Sequence, residues 1–157
     1  EVIVSRECHT GWHEAGGSAA HAGVQLVEIG ARGVFSVEEV DAAIKPRSLP
    51  VCPPTTLLEI ENTHNRSGGI VFPQDDVKRV CTLARERGLA TFLDGARLWN
   101  ASVESGLTER ELAAPFDMAA VAFHKGLGAP AGSARAPARY RRFRRRGTGW
   151  MESRPRA

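Results

Sequence analysis

Residues 57–97 read LLEIENTHNRSGGIVFPQDDVKRVCTLARERGLATFLDGAR, and this stretch decides the fold. Leu57-Leu58-Glu59-Ile60, set after Pro53 and Pro54, is a short, mostly apolar run that reads as a buried strand. Pro73 suits the first position of a helix, and the acids Asp75 and Asp76 suit its positive end. Val77, Val80, Cys81 and Ala84 recur at i, i+3, i+4 and i+7, which makes one apolar face. Arg85 and Arg87 crowd the last turn and Gly88 closes it. Thr91-Phe92-Leu93 is then a second strand. A strand–helix–strand unit with apolar strands predicts parallel pairing under a helical cover.

The same alternation runs outward in both directions. Glu1-Val2-Ile3-Val4 reads as a strand, and so does the stretch Val24 to Ile29 beyond a Gly/Ala-rich segment, Ala15 to Gly23. Ser36 and Glu39 form a capping box opening a helix that places Val37, Val40 and Ile44 on one face and stops at Pro46. Residues 97–105 read as a helix and Met118 to Phe123 as a strand. The expected class is therefore α/β, a mostly parallel sheet flanked by helices. Ligands of such sheets bind outside the carboxyl ends of the strands. His9, His64, Asp94, Arg97 and Lys125 each lie just past a strand's end, so all five are expected on one edge.

Charge divides the chain. Residues 1–133 hold 12 Lys and Arg against 17 Asp and Glu, whereas residues 134–157 hold 9 Arg against the single acid Glu152. The tail has no apolar period and is rich in Arg, Ala, Pro and Gly, so it reads as disordered. Cys8, Cys52 and Cys81 lack metal-ligand spacing, and their odd number favours free thiols in a reducing compartment, hence a cytoplasmic protein with no metal site. No apolar run is long enough to cross a bilayer.

Three further blocks bear on chemistry: Glu61-Asn62-Thr63-His64-Asn65 with the Gly68-Gly69 turn, Leu93-Asp94-Gly95-Ala96-Arg97-Leu98, and Lys125-Gly126-Leu127-Gly128-Ala129-Pro130. With the upstream block holding His9 and Glu14-Ala15-Gly16-Gly17, their order and spacing make residues 1–133 resemble the threonine aldolases, pyridoxal 5'-phosphate (PLP) enzymes of the aspartate-aminotransferase-type fold. The resemblance implies an incomplete large domain of a PLP fold type I enzyme, acting on an amino acid substrate within a homo-oligomer. It implies that Lys125 forms the Schiff base with the cofactor and Asp94 pairs with the pyridine nitrogen. It further implies that His9 stacks on the ring, His64 lies near the substrate hydroxyl, and Arg97 holds the substrate carboxylate. The implied reaction is cleavage of L-threonine or L-allo-threonine to glycine and acetaldehyde.

The sequence also departs from the family pattern. The phosphate-binding Ser-Gly-Thr-type loop would lie before Glu1, and His124 stands where a serine usually precedes the lysine. The smaller C-terminal domain has no counterpart in residues 1–133, and the Arg-rich tail stands where a strand is due after Ser133. A truncated, inactive form therefore remains open. Two other readings stand beside the aldolase: another PLP-dependent β-eliminating lyase, and a non-catalytic protein binding nucleic acid through Tyr140, Phe143 and the surrounding arginines. The last is the weakest, because arginine runs are usually solvated tails.

Overall fold

A computed structural model describes residues 1–46, 48 and 50–138. Six strands form one sheet: β1 (Val2–Ser5), β2 (Leu26–Ile29), β3 (Leu57–Glu61), β4 (Ala90–Gly95), β5 (Met118–Ala122) and β6 (Ser133–Pro137). Their spatial order is β2-β1-β3-β4-β5-β6; the first five are parallel and β6 runs antiparallel to β5. The helices are α1 (His9–Trp12), α2 (Gly17–Ala22), α3 (Val37–Ala43), α4 (Gln74–Glu86), α5 (Leu98–Ser105) and α6 (Glu109–Ala113). The chain leaves β1 toward β2 on one side and then returns to place β3 on the other. The winding thus reverses between β1 and β3, and the crevice at such a reversal is where open α/β sheets take ligands.

The period of two along each strand sorts its side chains onto two faces. One face carries Ile3, Leu58, Ile60 and Leu93, which pack against Val40 of α3, Val77, Val80, Cys81 and Ala84 of α4, and the Phe35–Phe72 pair. Those two rings meet edge to face, 5.1 Å between centroids at 78°. Burying each valine of α4 stabilises the fold by roughly 1.5–3 kcal/mol. The other face carries Val2 and Val4 with Cys8, in a smaller cluster joined by Val24, Leu26 and Leu57. On that face β3 presents Glu59 and Glu61.

Most expected elements are present, with corrections at their ends. Pro73 is the residue before α4 rather than its first residue; its φ of −58° suits a helix but its ψ of 127° is extended. Val77 N–H donates to the Pro73 carbonyl and starts the ladder. Likewise α3 ends at Ala43, and Ile44 leaves the helix with ψ 119° while still packing on the core. The Ser36–Glu39 capping box forms in full. Helix α6, which the sequence reading passed over, opens with a second capping box, Thr108 with Glu111. The Gly/Ala-rich stretch holds α2, between two left-handed glycines, Gly16 and Gly23.

The largest correction concerns the segment assigned to a disordered tail from residue 134. Residues Ser133–Pro137 form β6, paired along its length with β5. Its side chains are all exposed, so it is held by backbone hydrogen bonds and needs no apolar period. Residues 139–157, which hold Tyr140, Phe143 and the arginines of the alternative nucleic-acid reading, lie outside the described residues. No helix among the described residues is long and apolar enough to cross a membrane.

Candidate active site

The turns that follow β1, β3, β4 and β5 converge on the carboxyl edge of the sheet. After β1 the chain bends through Glu7, at φ 61°, into α1, whose cap is Cys8; Cys8 Sγ accepts Gly11 N–H at 3.3 Å. Burial pushes the Cys8 thiol up to about 12, so it stays a thiol and packs as an apolar group. His9 opens α1 with its ring about one-third exposed, and its Nε2 lies 3.1 Å from Glu14 Oε1. The His13 ring lies 5.1 Å from that of His9.

Two carboxylates of β3 lie beneath this turn. Glu61 Oε2 accepts the His9 backbone N–H at 2.8 Å, and Glu61 Oε1 accepts the Asn65 backbone N–H at 2.9 Å. Glu59 Oε1 accepts the Thr10 hydroxyl at 2.7 Å. Burial is the main reason the Glu59 carboxyl is pushed up to about 7; the Thr10 bond opposes this, and the charges of Asp94, Glu61 and Glu14 add to it. Sequence reasoning missed Glu59 and Glu61 as site residues and set Glu14 aside. The available signal was two acids alternating with Leu58 and Ile60 inside an otherwise buried strand.

Asp94 stands beside Glu61 in the parallel register of β3 and β4. Its Oδ1 accepts the Ala96 N–H at 3.0 Å, so the Asx turn with Gly95 is present and leaves the second carboxylate oxygen free of that bond. Burial raises the Asp94 carboxyl above the usual range; the Ala96 N–H pulls it down, Glu61 pushes it up, and Lys125 and His9 pull it down. Those couplings place His9 and Lys125 within electrostatic reach of Asp94. Lys125 sits half-buried in the turn between β5 and β6. That turn is closed by Gly128 N–H to the Lys125 carbonyl, Ala129 N–H to the Phe123 carbonyl and Phe123 N–H to the Gly132 carbonyl. A Cβ at Gly126 would meet Asn100 Oδ1 at 2.7 Å, so Gly126 lets the turn pass close to that exposed side chain. His124, the departure before the lysine, is exposed with Nδ1 3.3 Å from the Gly132 carbonyl.

The other two expected residues follow β3 and β4 at the same edge but in different surroundings. His64 is wholly buried. Its Nδ1 accepts the Ser67 N–H at 3.2 Å, so a neutral ring carries its proton on Nε2. That Nε2 is buried without a hydrogen-bond partner, 3.7 Å from Glu61 Oε2. Neither ring nitrogen opens to the sheet edge. Arg97 caps the start of α5 and lines an open groove of about 980 Å³ with Arg32, Thr63, Trp99, Asn100 and Gly126. Asp94, His9 and Lys125 do not line that groove, although Arg97 and Gly126, their near neighbours in the chain, do.

Most of the chain is similar to proteins already known. A family model described as beta-eliminating lyase matches residues 1–141. The low-specificity L-threonine aldolase 1 of Arabidopsis thaliana is 37% identical over 136 residues, covering 85% of this chain and 38% of that protein. The low specificity L-threonine aldolase of Escherichia coli (strain K12) is 37% identical over 135 residues, covering 85% and 39%. Among solved structures, the Leishmania major threonine aldolase superposes with a TM-score of 0.69 at 26% identity, over 77% of this chain and 35% of that one. The chain thus spans less than two-fifths of the length of these relatives.

Proposed function

Because the chain belongs to the beta-eliminating lyase family, we propose that its sheet edge binds pyridoxal 5'-phosphate and serves the cleavage of L-threonine or L-allo-threonine to glycine and acetaldehyde. The observation that carries this reading is the grouping of Asp94, Lys125 and His9 at the carboxyl edge, with Asp94 coupled to both of the others. The donor set fits the cofactor at its ring and aldehyde ends. A buried aspartate suits a pyridine nitrogen, a half-buried lysine amine suits an aldehyde, and a partly exposed imidazole suits a flat ring face. When bound, the cofactor supplies an aldehyde that condenses with amines and a ring that draws electrons from the adjacent carbon.

The residues of this chain set the stage for that chemistry. Asp94 would pair with the protonated ring nitrogen, in a site where burial strengthens the pairing. Lys125 would supply the amine that meets the aldehyde, from a turn held by three backbone bonds. Of His9 and His64 only His9 presents its ring to the open edge, and Glu14, 3.1 Å from Nε2, can orient that ring and stabilise the charge it would gain with a proton from a substrate hydroxyl. Arg97 offers a planar fork of donors to a substrate carboxylate from the adjoining groove. We take the active assembly to be a cytoplasmic homo-oligomer, as the resemblance to the threonine aldolases implies.

The test is to mix the chain with pyridoxal phosphate, reduce with borohydride and map the pyridoxyl group by mass spectrometry. A stoichiometric label on Lys125 that is lost in Lys125→Ala is the expected outcome; labelling scattered over lysines refutes the reading. The family model's own description favours a second reading, β-elimination, which release of pyruvate rather than aldehyde would identify.

A further inference from the structure

We propose that Glu61 is a positioning residue, a buried clamp whose carboxylate ties the turn bearing His9 to the turn bearing His64 and so fixes His9 beside Asp94. The proposal deepens the functional reading above and rests on it for the meaning of the His9 position. Glu61 is the last residue of β3, on the line where the winding of the sheet reverses, and it is only 4% exposed. Leaving water is costly for a carboxylate unless donors replace it. Both oxygens are so served, by the backbone N–H of His9, 52 residues away, at 2.8 Å, and by that of Asn65, four residues away, at 2.9 Å.

The geometry gives the clamp its purpose. Glu61 and Asp94 are register partners across β3 and β4, and the Asn62 N–H bonds the Asp94 carbonyl at 2.9 Å. Pinning the His9 backbone to Glu61 therefore sets the distance from the His9 ring to the Asp94 carboxyl. The same two turns meet again at the surface, where Arg66 pairs with Glu7 at 3.3 Å and its guanidinium lies 4.1 Å from the Trp12 ring centroid. A glutamine at position 61 offers one acceptor and turns an NH₂ group toward the other N–H, so one turn must come loose. His64 Nε2, 3.7 Å from Glu61 Oε2, borders the clamp without completing it.

The experiment is amide hydrogen exchange by NMR on the whole chain and on Glu61→Gln. In the unsubstituted chain the His9 and Asn65 amides are expected to be protected, although both lie at turns where a side chain supplies the acceptor. In Glu61→Gln at least one of them is expected to exchange roughly tenfold faster or more, while the Ile60 and Leu93 amides keep their rates and pyridoxal phosphate binds about tenfold more weakly. His9 and Asn65 amides that exchange at unstructured-peptide rates in the unsubstituted chain overturn the clamp, whether or not the variant folds. Acceleration spread evenly over core amides, with cofactor affinity unchanged, overturns the positioning role. The borohydride label on Lys125 judges the functional reading separately, since the amide rates are read without cofactor.

Discussion

Replacing Glu59 by glutamine removes a carboxyl that the fold keeps protonated far above its ordinary range. The side chain is 6% exposed, and its pKa rises from 4.5 to about 7, chiefly through burial. The folded protein thus holds this proton where the unfolded chain has released it, so the contribution of Glu59 to stability is complete below pH 4.5 and is lost as the pH rises through 7. A displacement of that size, at about 1.36 kcal/mol per pH unit, is worth about 3 kcal/mol. Glutamine copies the protonated acid in shape and still accepts the Thr10 hydroxyl, bonded at 2.7 Å in the parent. Urea unfolding of both proteins at pH 4.5 and pH 8 measures the effect. Glu59→Gln is expected to exceed the parent by about 3 kcal/mol at pH 8, and the gap shrinks to a fraction of a kcal/mol at pH 4.5. A gap that does not change with pH, or a variant weaker than the parent at pH 8, refutes the reasoning.

Two other substitutions probe the frame of the site. Gly33 has φ +80°, and a Cβ there would lie 2.4 Å from His64 Cγ; Gly33→Ala is expected to cost about 2 kcal/mol or more, read as a lower thermal midpoint, and an unchanged midpoint would show that the turn yields freely. Asp117 Oδ2 accepts both the N–H and the hydroxyl of Thr91, at 2.9 and 3.0 Å, and Thr91 is buried. Asp117→Ala strands both donors and is expected to lower urea stability by roughly 1–3 kcal/mol, whereas a loss below about 0.5 kcal/mol would mean that other acceptors replace it.

What the sequence determined by itself is whatever depends on neighbours a few residues apart. The face of α4, the Ser36–Glu39 box and the apolar strands are legible because a helix turn and a strand pleat repeat over 3.6 and 2 residues. The Thr108–Glu111 box is written equally plainly and marks the start of α6. The strand-end rule likewise assigned His9, His64, Asp94, Arg97 and Lys125 to one edge, since parallel strands present all their carboxyl ends together. Other features had no local signal. Strand β6 is attached through its backbone alone, which leaves no pattern in its side chains. The burial of His64 depends on a turn thirty residues earlier, where Gly33 packs on the ring. The carboxylates of Glu59 and Glu61 look like surface acids until Thr10 and His9, 49 and 52 residues away, close over them. Only the tertiary structure decides such contacts, because the strand order that puts β1 beside β3 is a choice among packings, and the residues it brings together share no period in the chain.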